Sequence, residues 1–561
     1  MSTHHLVLVD GVPQNVSEDK TFNWNAVPLE DVERVEVVRG PYSALYGENA
    51  MGGVVNIITK KGKGEPRVTL SSGRGTFDTE EQYASLAGLF GGVDCFLSAK
   101  YKQSDTFRKH GEYRSKNFFL KLGMDPSEDS RLSFSVGRFE ANRGAIPWAL
   151  TEAELRQKRD QARPGTKTDS QDTDRLTMAL NYSHRLGDAI TVDETAYFAT
   201  EERDAFSTSW GNTRNYLDEE RTYGLMNKVT AKTGLFGFDH ELLAGFDLEK
   251  GTLDNHTYLA PAKLRGTLTG NFDVSVSKSG CYLQDSIALH DDLKLLFGHR
   301  WDVIKYRFEN HLDITASKDR TLKSANPRAG LVWTYDDIGS SAYASWSRAF
   351  RAPTLGQMFT YGASANPELD PERAVNYEIG ATHNFGKGVT AHAAAYYMRV
   401  KDEILYDFAL FQYKNAGKTR HKGIEAGIDA ELFGGVSVFG SHTLSHAQYT
   451  TGADRGNYIE SSPKYMTGYG LRYDGGFGLT AQAGGRSAGK IFLDPANTRR
   501  LRQYTVWDFS VAYEKDFFTI SLGVDNLFDY KYASYGFVSG GAKSLSPAAG
   551  RTFMLRLTLD F

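Results

Sequence analysis

Apolar and polar residues alternate along most of this chain, from about residue 67 to its end. The last stretch is the clearest case, because every second residue is apolar: Phe553, Leu555, Leu557, Leu559 and Phe561. A period of two places alternate side chains on opposite faces of a β-strand. Stretches of about ten such residues, separated by polar turns, are typical of a membrane-spanning β-barrel. A soluble sandwich strand also alternates, but it would not usually repeat the pattern over so long a chain.

The length of the alternating region predicts the size of the barrel. At roughly 23 residues per strand with its turns, the residues after position 62 give about 22 strands, the size class in which the lumen holds a plug. Short connections at 186–190 and 433–436 are expected at one end of the barrel. Long connections are expected at the other, outer end: 141–175, 204–220, 253–278, 352–373, 489–504 and 531–551. In the first of them, Thr151 and Glu154 either form a helix capping box or belong to a solvated charge run.

The first 60 residues follow a different pattern. They predict a strand with two faces, a short helical turn and a buried strand, in that order: 32–38, 41–45 and 54–58. Turns or left-handed residues are expected where glycine and proline interrupt the pattern, at Gly40, Pro41, Gly47, Gly52 and Gly53. A unit of this size cannot bury enough surface alone. We therefore expect a plug domain, residues 1–62, inside a barrel of residues 63–561.

Composition and motifs exclude several classes of function. The chain has 65 Lys and Arg against 69 Asp and Glu, a net charge of −4, which argues against a general nucleic-acid binder. Aromatic residues make up 12% and suit the girdles of a membrane barrel, whereas no apolar run is long enough for a transmembrane helix. No nucleophile elbow, P-loop or zinc-protease motif occurs, so we predict that the protein is not an enzyme. Cys95 and Cys281 are expected to be unpaired strand residues, and no metal or cofactor site is predicted.

The motifs of the first 60 residues resemble the plug domain of the TonB-dependent outer-membrane receptors. The similar segments run in the family's order: Val-Leu-Val-Asp-Gly-Val-Pro at 7–13, Val-Glu-Arg-Val-Glu-Val-Val-Arg-Gly-Pro at 32–41, Ser-Ala-Leu-Tyr-Gly at 43–47 and Gly-Gly-Val-Val-Asn-Ile-Ile at 52–58. The positions that carry the signature are Asp10, Gly11, Arg34, Glu36, Arg39, Gly40, Pro41, Tyr46, Gly47, Gly52, Gly53 and Asn56. Plugs of this family begin well upstream of such segments. We therefore expect an N-terminally truncated plug, without its first half, the energy-coupling box and the export signal.

The barrel region carries further segments similar to that family, and the terminal Phe561 resembles its membrane-insertion signal. These segments lie at 347–355, 366–372, 376–380, 421–425 and 524–532. The resemblance implies a receptor in the outer membrane of a Gram-negative bacterium, in contact with lipid and lipopolysaccharide and expected to be a monomer. It implies active import of a scarce nutrient, in which the inner-membrane TonB–ExbB–ExbD complex pulls on the plug and no cofactor is needed. A passive porin-like channel, a barrel-borne enzyme and an adhesin are the alternative classes.

The nutrient is less tightly constrained than the fold. The boxes at 350–353 and 366–369 resemble those of haem receptors, but 354–365 between them lacks the haem-ligating histidine of such receptors. Cations and aromatic residues on the predicted loops suit an anionic, aryl-rich ferric chelate: Trp148, Arg156, Tyr361, Arg499, Arg500 and Tyr535. The same cations are compatible with plain solvation or with lipopolysaccharide phosphates. A ferric siderophore is the leading substrate, with haem and cobalamin as alternatives.

Charges inside a barrel lumen need partners, because burying an unpaired charge is costly. Alternation turns Glu378 and Glu425 into the lumen, while Arg34 and Arg39 lie on the plug strand or at its end. The resemblance implies that such wall glutamates meet the plug arginines in this family. We therefore predict a latch in which the four residues form one cluster. The alternative is that each glutamate lines a hydrated lumen and pairs with a basic residue on a neighbouring strand.

Overall fold

A computed structural model describes residues 4–15, 21–143, 147–166, 169–209, 211–360, 365–407, 410 and 412–561. Within these residues the chain forms one closed barrel of 22 strands, which confirms the predicted all-β class and strand number. Each strand pairs antiparallel with the next barrel strand along the chain. The strands are Arg67–Gly75, Thr79–Phe90, Val93–Ser104, Tyr113–Ser127, Ser130–Arg143, Ser170–Leu186, Ile190–Ser209, Asn212–Leu235, Phe238–Leu259, Leu268–His290, Leu293–Asn310, Lys318–Thr334, Ser341–Arg351, Glu372–Gly386, Val389–Lys401, Lys418–Glu431, Val436–Tyr449, Tyr465–Asp474, Leu479–Ala488, Tyr504–Lys515, Phe518–Asp525 and Thr552–Asp560.

The barrel closes where its last strand meets its first. Thr552–Asp560 pairs antiparallel with Arg67–Gly75, so the backbone groups of both terminal strands are satisfied, as a membrane interior requires. The terminal strand alternates as predicted. Leu555 is 52% exposed on the outer face, whereas Arg556 points inward and its Nη2 lies 2.5 Å from the Glu81 carboxylate.

The plug lies inside the barrel as a small mixed sheet with a helix. Its four strands stand in the spatial order Val12–Pro13, His5–Val9, Gly53–Thr59 and Val32–Arg39. A short helix, Ser43–Tyr46, and two 3-10 turns, Trp24–Ala26 and Leu29–Asp31, complete it. The predicted order of strand, helical turn and strand is confirmed. The sheet is covered by an apolar cluster of Leu6, Leu8, Ala50 and Val54.

Connections are short at one end of the barrel and mostly long at the other, as predicted, with two exceptions. The predicted loops 204–220 and 253–278 fall largely within long hairpins that extend beyond the apolar belt. Cross-strand polar pairs continue the ladder there, because Arg203 Nε donates to the Asp218 carboxylate at 2.8 Å. These segments lack apolar alternation, and the sequence therefore predicts loops there. In the structure, paired charged side chains continue the strands instead.

Outer loops associate with one another at the long-loop end. Three segments form a small sheet: Leu150–Thr151, Ala542–Pro547 and Ala533–Ser539. The helix Glu152–Gln157 follows, and it begins with the capping box, because the Glu154 carboxylate accepts the backbone N–H of Thr151 at 2.8 Å. Further hairpins pair Ile404–Asp407 with Gln412–Asn415 and Ile491–Phe492 with Arg500–Leu501. We call these associated outer segments the outer cap. The apolar side chains of Leu493, Leu501 and Leu545 pack together and fix part of it.

The loop after Ser341–Arg351 turns into the lumen instead of outward. Its residues Leu355, Met358 and Phe359 are buried among apolar wall side chains. The rings of Phe359 and Phe308 stack with their centroids 4.9 Å apart. This loop therefore fills part of the lumen above the plug rather than extending the outer cap.

The described residues hold no disulfide and no cluster of metal-ligating side chains. Cys95 and Cys281 are both free thiols. Among the described residues, no group of three or more histidine, cysteine or acidic side chains is arranged to hold a metal ion. No helix in the described part of the chain is long and apolar enough to span a membrane.

Candidate functional site

Two glycines of the plug signature bring the plug backbone against the barrel wall. Gly47 ends the helix Ser43–Tyr46 with a φ of 73°, and a Cβ there would lie 3.1 Å from the Arg300 guanidinium. Gly40 has a φ of 80°, and a Cβ there would lie 3.2 Å from Glu378 Oε2. Glycine adopts such backbone angles without strain and leaves room for the charged groups. Both positions therefore lie in direct contact with charged side chains of the wall.

Asp10 ties the strands of the plug to each other and to the wall. Its carboxylate accepts the backbone N–H of Thr59 at 2.9 Å, and the neighbouring Gly11 N–H donates to Asn56 Oδ1 at 3.1 Å. Lys121 of the barrel places its Nζ 2.9 Å from Asp10 Oδ2. The Asp-Gly turn of the signature therefore closes the plug sheet and also forms one of its ion pairs with the wall.

Two wall cations hold the segment that follows the plug helix. Arg300 Nη1 donates to the Leu45 carbonyl at 2.8 Å. Lys278 Nζ lies 2.6 Å from Glu48 Oε1. We refer to Leu45, Glu48, Lys278 and Arg300 as the apex clamp. The sequence did not predict it, because lysine and arginine within a long alternating strand carry no local signal of a partner on another domain.

Each cation of the apex clamp also has acidic partners on the wall. Lys278 Nζ lies 2.6 Å from Glu249 Oε1. Arg300, whose side chain is 5% exposed, lies 2.5 Å from Asp247 and 2.8 Å from Asp302. A charge taken out of water needs such compensation. The wall therefore balances these cations without help from the plug.

Arg39, one of the four residues of the predicted latch, lies against the barrel wall. Its Nη1 lies 3.3 Å from Glu425 Oε2 and 3.4 Å from His392 Nε2. Glu378 lines the same region, where it accepts a hydrogen bond from the Tyr343 hydroxyl at 2.7 Å. One plug arginine and one predicted wall glutamate are thus in contact, and the second glutamate lies against Gly40.

The four-residue cluster needs a correction at Arg34. Arg34 Nη2 lies 2.7 Å from Glu36 Oε1, and both side chains are exposed. The physical reason is local: residues two apart on a strand share a face, so Arg34 finds an acid on its own strand. Glu36 is also bonded by the Asn56 amide at 3.1 Å. These three signature residues therefore stabilise the plug itself.

A third set of contacts holds the plug near its 3-10 turn Leu29–Asp31. Lys100 Nζ lies 2.9 Å from the Glu30 carboxylate. The buried Asp31 accepts hydrogen bonds from the hydroxyls of Tyr83 at 3.0 Å and Ser98 at 2.8 Å. Burial raises the pKa of Asp31 to about 6, although the two hydroxyl bonds oppose that rise. Asp31 is therefore a plug carboxyl that changes charge near neutral pH.

A buried ion pair joins two of the barrel segments that resemble the family, 347–355 and 366–372. Arg351 Nη2 and Nε lie 2.7 and 2.8 Å from the two oxygens of Glu372, and both side chains are almost fully buried. His4 of the plug reaches the same carboxylate, with Nε2 2.8 Å from Oε2. These two segments therefore have a structural role, since they fix the inward loop and provide a plug contact.

Two of the aromatic residues predicted to bind ligand are Trp148 and Tyr361. Trp148 is 39% exposed, and its indole N–H donates to Asp169 at 2.8 Å. Tyr361 lies outside the described residues. Trp148 is therefore held by its indole N–H and is partly exposed at the outer end of the barrel.

The predicted cations lie on the outer cap. Arg156 and Arg500 are exposed, and Arg499 Nη2 donates to the Gly541 carbonyl at 3.4 Å. Tyr535 is 51% exposed on the small sheet of the same cap, and partial burial raises its pKa. The cap thus presents positive charge and an aromatic ring outward, while its own core is apolar.

A cavity of about 450 Å³ lies between the plug and the wall beside the apex clamp. Tyr46 and Asn56 of the plug line one side, and Thr195, Lys228 and Tyr282 of the wall line the other. Many of the residues that line it are polar or charged, so water can occupy it. The plug is therefore bound to the wall at separate places rather than packed against it all round.

A closed 22-stranded barrel with an α/β plug tied to its inner wall by ion pairs defines the class of plugged outer-membrane receptors. Comparison with protein families narrows the class. Residues 103–527 match the family described as TonB dependent receptor-like, beta-barrel, and residues 1–54 match the TonB-dependent Receptor Plug Domain. The chain belongs to the TonB-dependent receptor family.

Curated relatives and solved structures agree with this assignment. The ferrichrome outer membrane transporter/phage receptor of Escherichia coli (strain K12) is 24% identical, over 91% of this chain and 77% of the relative. The ferrioxamine receptor of Yersinia enterocolitica is 23% identical, over 92% and 78%. The fold matches the ferric citrate transporter FecA in its unliganded form with a TM-score of 0.88 at 19% identity, over 100% of this chain and 88% of that one. The copper transporter OprC gives 0.83 at 18% identity, over 100% and 91%.

Proposed function

We propose that this chain imports a ferric siderophore across the outer membrane, with residues 1–62 as the plug and the TonB–ExbB–ExbD complex as the energy source. The observation that carries the proposal is the form of the plug–wall interface. Ion pairs hold the plug, and the main wall cations keep acidic partners of their own. A pull on the plug therefore separates contacts that the wall can replace.

The outer cap and the relatives both support this substrate class. Exposed cations such as Arg156 and Arg500 attract an anionic chelate, and the exposed faces of Trp148 and Tyr535 suit contact with its organic groups. The relatives named for ferrichrome and ferrioxamine support a ferric chelate over other nutrients. Haem and cobalamin remain the alternative substrates, and no residue of the described cap favours them.

The signature residues have a defined part in this proposal. Arg39 and Glu425 act as a latch that seats the plug and opens under load. Surface-accessible ion pairs contribute about 1 kcal/mol or less, so this contact alone does not lock the barrel. Glu378 borders the latch and limits the space around Gly40.

Uptake of radioactive iron tests the proposal in a strain without its own siderophore receptors. The protein is expressed with its upstream part restored, that is, an export signal, the energy-coupling box and the first half of the plug, and the cells receive ferrichrome, ferrioxamine or ferric citrate, the ligands named for the similar proteins. We expect uptake of at least one chelate in cells with TonB and none in cells without it. Uptake that is equal in both strains would indicate a passive channel instead.

The same assay tests the outer cap. Replacing Arg156, Arg499 and Arg500 by glutamine should raise the half-saturating chelate concentration by about two- to five-fold per cation, since each is an exposed charge. Arg455→Gln, in the outer connection 450–464, is the matched control and should leave it unchanged. An equal effect of both sets would mean that these cations provide only general surface charge.

A further inference from the structure

One row of outward side chains near the outer end of the barrel is entirely acidic. The row crosses seven consecutive barrel strands, from Ser130–Arg143 to Leu293–Asn310. Each acid lies directly opposite the next in the cross-strand register. Adjacent positions such as Leu253 and Val274 face the lumen and are each 1% exposed, so the acids point outward. We define the acidic row as Glu140, Asp174, Glu202, Glu219, Asp254, Asp273 and Glu309.

The acidic row is only partly balanced by its own strands. Like charges directly opposite each other destabilise an antiparallel pair. Two arginines one row nearer to the membrane offset some of this repulsion, since Arg138 Nη2 lies 2.7 Å from Asp174 and Arg221 pairs with Glu219. Glu202 lies between these two acids and is exposed, and within the described residues it has no ion-pair partner. An excess of negative charge therefore remains at the centre of the row.

A second row of outward side chains carries the opposite charge. Arg373 lies opposite Lys401, and Lys401 lies opposite Lys418; we define these three residues as the basic row. All three are exposed, whereas the adjacent Ala374 faces the lumen and is 1% exposed. Arg373 lies 3.8 Å from Asp402, and in the described part of the chain the two lysines have no ion-pair partner. The basic row therefore carries uncompensated positive charge.

The two rows lie at the same height on the barrel. Phe198 lies opposite Tyr223, with ring centroids 4.9 Å apart, and Tyr377 lies opposite Tyr397. Aromatic side chains on the outer face mark the membrane interface. The acidic row lies four residues above the first pair and the basic row four residues above the second, which is about 13 Å along a strand. Both rows therefore stand above the apolar belt, where the side chains of another protein can reach them.

The rows occupy different sectors of the barrel. The middle strand of the acidic row is Asn212–Leu235, and the middle strand of the basic row is Val389–Lys401. These two strands are seven apart in the barrel of 22, so the two rows of one copy cannot meet each other. A contact between the acidic row of one copy and the basic row of another joins unlike surfaces. Such a heterologous contact leaves the second row of each copy open to a further copy.

We propose that the acidic row binds the basic row of a second copy, so that copies of this protein associate side by side in the plane of the outer membrane. Lys401 and Lys418 meet the centre of the acidic row at Glu202. Opposite charges then face each other across the contact and offset the like charges within each row. The arginines nearer to the membrane do not prevent the contact, because Arg138 and Arg221 already have acidic partners. This association departs from the monomer that the family resemblance implies, and it does not depend on the transported ligand.

Carbodiimide cross-linking in phosphatidylcholine vesicles tests the contact directly, because the reagent joins a carboxylate to a lysine amine only where the two groups touch. Equal amounts of unlabelled and ¹⁵N-labelled chain distinguish links between copies from links within one copy. We expect links from Lys401 or Lys418 to peptides of the acidic row. Their yield should fall at least about five-fold in 1 M salt, where the Debye length is about 3 Å. Absence of these links between copies overturns the proposal.

Neutralised rows test whether charge holds the copies together. Energy transfer between donor- and acceptor-labelled copies in the same vesicles measures association without using lysine chemistry. The basic-row variant is Lys401→Gln/Lys418→Gln, and the acidic-row variant is Asp174→Asn/Glu202→Gln/Glu219→Gln/Asp254→Asn. Each variant alone should associate at least about five-fold more weakly than the wild type. An equal mixture of the two should form pairs and nothing longer, because one copy keeps its acidic row and the other keeps its basic row.

Matched controls separate this contact from a general effect of charge. Lys305→Gln/Lys323→Gln removes two exposed lysines outside the basic row and should associate like the wild type. Lys401→Arg/Lys418→Arg keeps the charge and should retain association while it loses the cross-links. A heat-dependent shift on gel electrophoresis shows that each barrel is folded. Undiminished association of either neutralised variant, an equal loss in the lysine control, or a mixture that does not pair overturns the proposal.

Discussion

Lys278 and Glu48 form one ion pair, yet their removal should have very different costs. Glu48→Gln leaves Lys278 with Glu249, 2.6 Å away, so no charge is stranded and the loss is one charge-assisted hydrogen bond, about 1–2 kcal/mol. Lys278→Met leaves Glu48 and Glu249 facing each other without their cation. Removing one partner of such a buried group costs about 3–5 kcal/mol. The apex clamp should therefore depend far more on the lysine than on the glutamate.

Hydrogen–deuterium exchange of the plug peptides measures this difference directly. Every 1.4 kcal/mol changes an opening equilibrium about ten-fold. Exchange of residues 43–49 should accelerate about ten-fold in Glu48→Gln and at least about 100-fold in Lys278→Met. Lys294→Met, an exposed lysine near a turn of the wall, is the matched control and should leave the plug unchanged. Equal acceleration in both clamp variants, or a larger effect of Glu48→Gln, would refute the argument that Glu249 compensates Lys278.

Three further predictions concern other plug and wall contacts. The pKa of Asp31 is about 6, against an ordinary 3.8. The contribution of this carboxyl to plug stability is therefore present below about pH 4 and is lost as the pH rises through about 6. Urea titrations of the plug should show this loss as a change of about 2–3 kcal/mol, and Asp31→Asn should abolish it. Arg39→Gln and Glu425→Gln should each weaken the plug by about 1 kcal/mol or less, and the double variant should lose no more than the larger single loss if the two residues act as one pair. Arg351→Met should destabilise the barrel by about 3–5 kcal/mol, because the buried Glu372 loses its guanidinium partner and keeps the His4 ring and the Ile404 N–H, and Arg351→Met/Glu372→Met should recover much of the lost melting temperature.

The fold was predictable because its signals are repeated or local. Alternation recurs in strand after strand, so single ambiguous segments did not affect the strand number. The plug elements were marked by glycines whose positive φ angles the structure shows, such as Gly40 and Gly47. The capping box of Thr151 and Glu154 is likewise a contact between residues three apart. Each of these features depends on nearby residues, and nearby residues are what a sequence displays.

The contacts between the two domains were predictable only in part. Alternation correctly turned Glu425 inward, and proximity in the fold brought Arg39 to it. The same reasoning misplaced Arg34, because it ignored an acid two residues away on the same strand. Lys278 and Arg300 carried no signal at all, since their partners depend on the rotation and height of the plug in the lumen. Charge pairing across a domain interface is a property of the assembled geometry.

The wall cations that hold the plug differ in the acidic partners that remain to them when the plug moves. Lys100, which bonds Glu30 of the plug, also lies 3.4 Å from Glu81 of the wall, and the apex clamp has its own wall acids in the same way. Lys121 differs, because in the described part of the chain its ion-pair partner is Asp10 of the plug. When the plug separates from Lys100 or from the apex clamp, the wall cations exchange a plug acid for a wall acid. Separation of Asp10 from Lys121 instead exposes a lone cation that only water can solvate. Movement of the plug should therefore begin at the apex and reach Lys121 last.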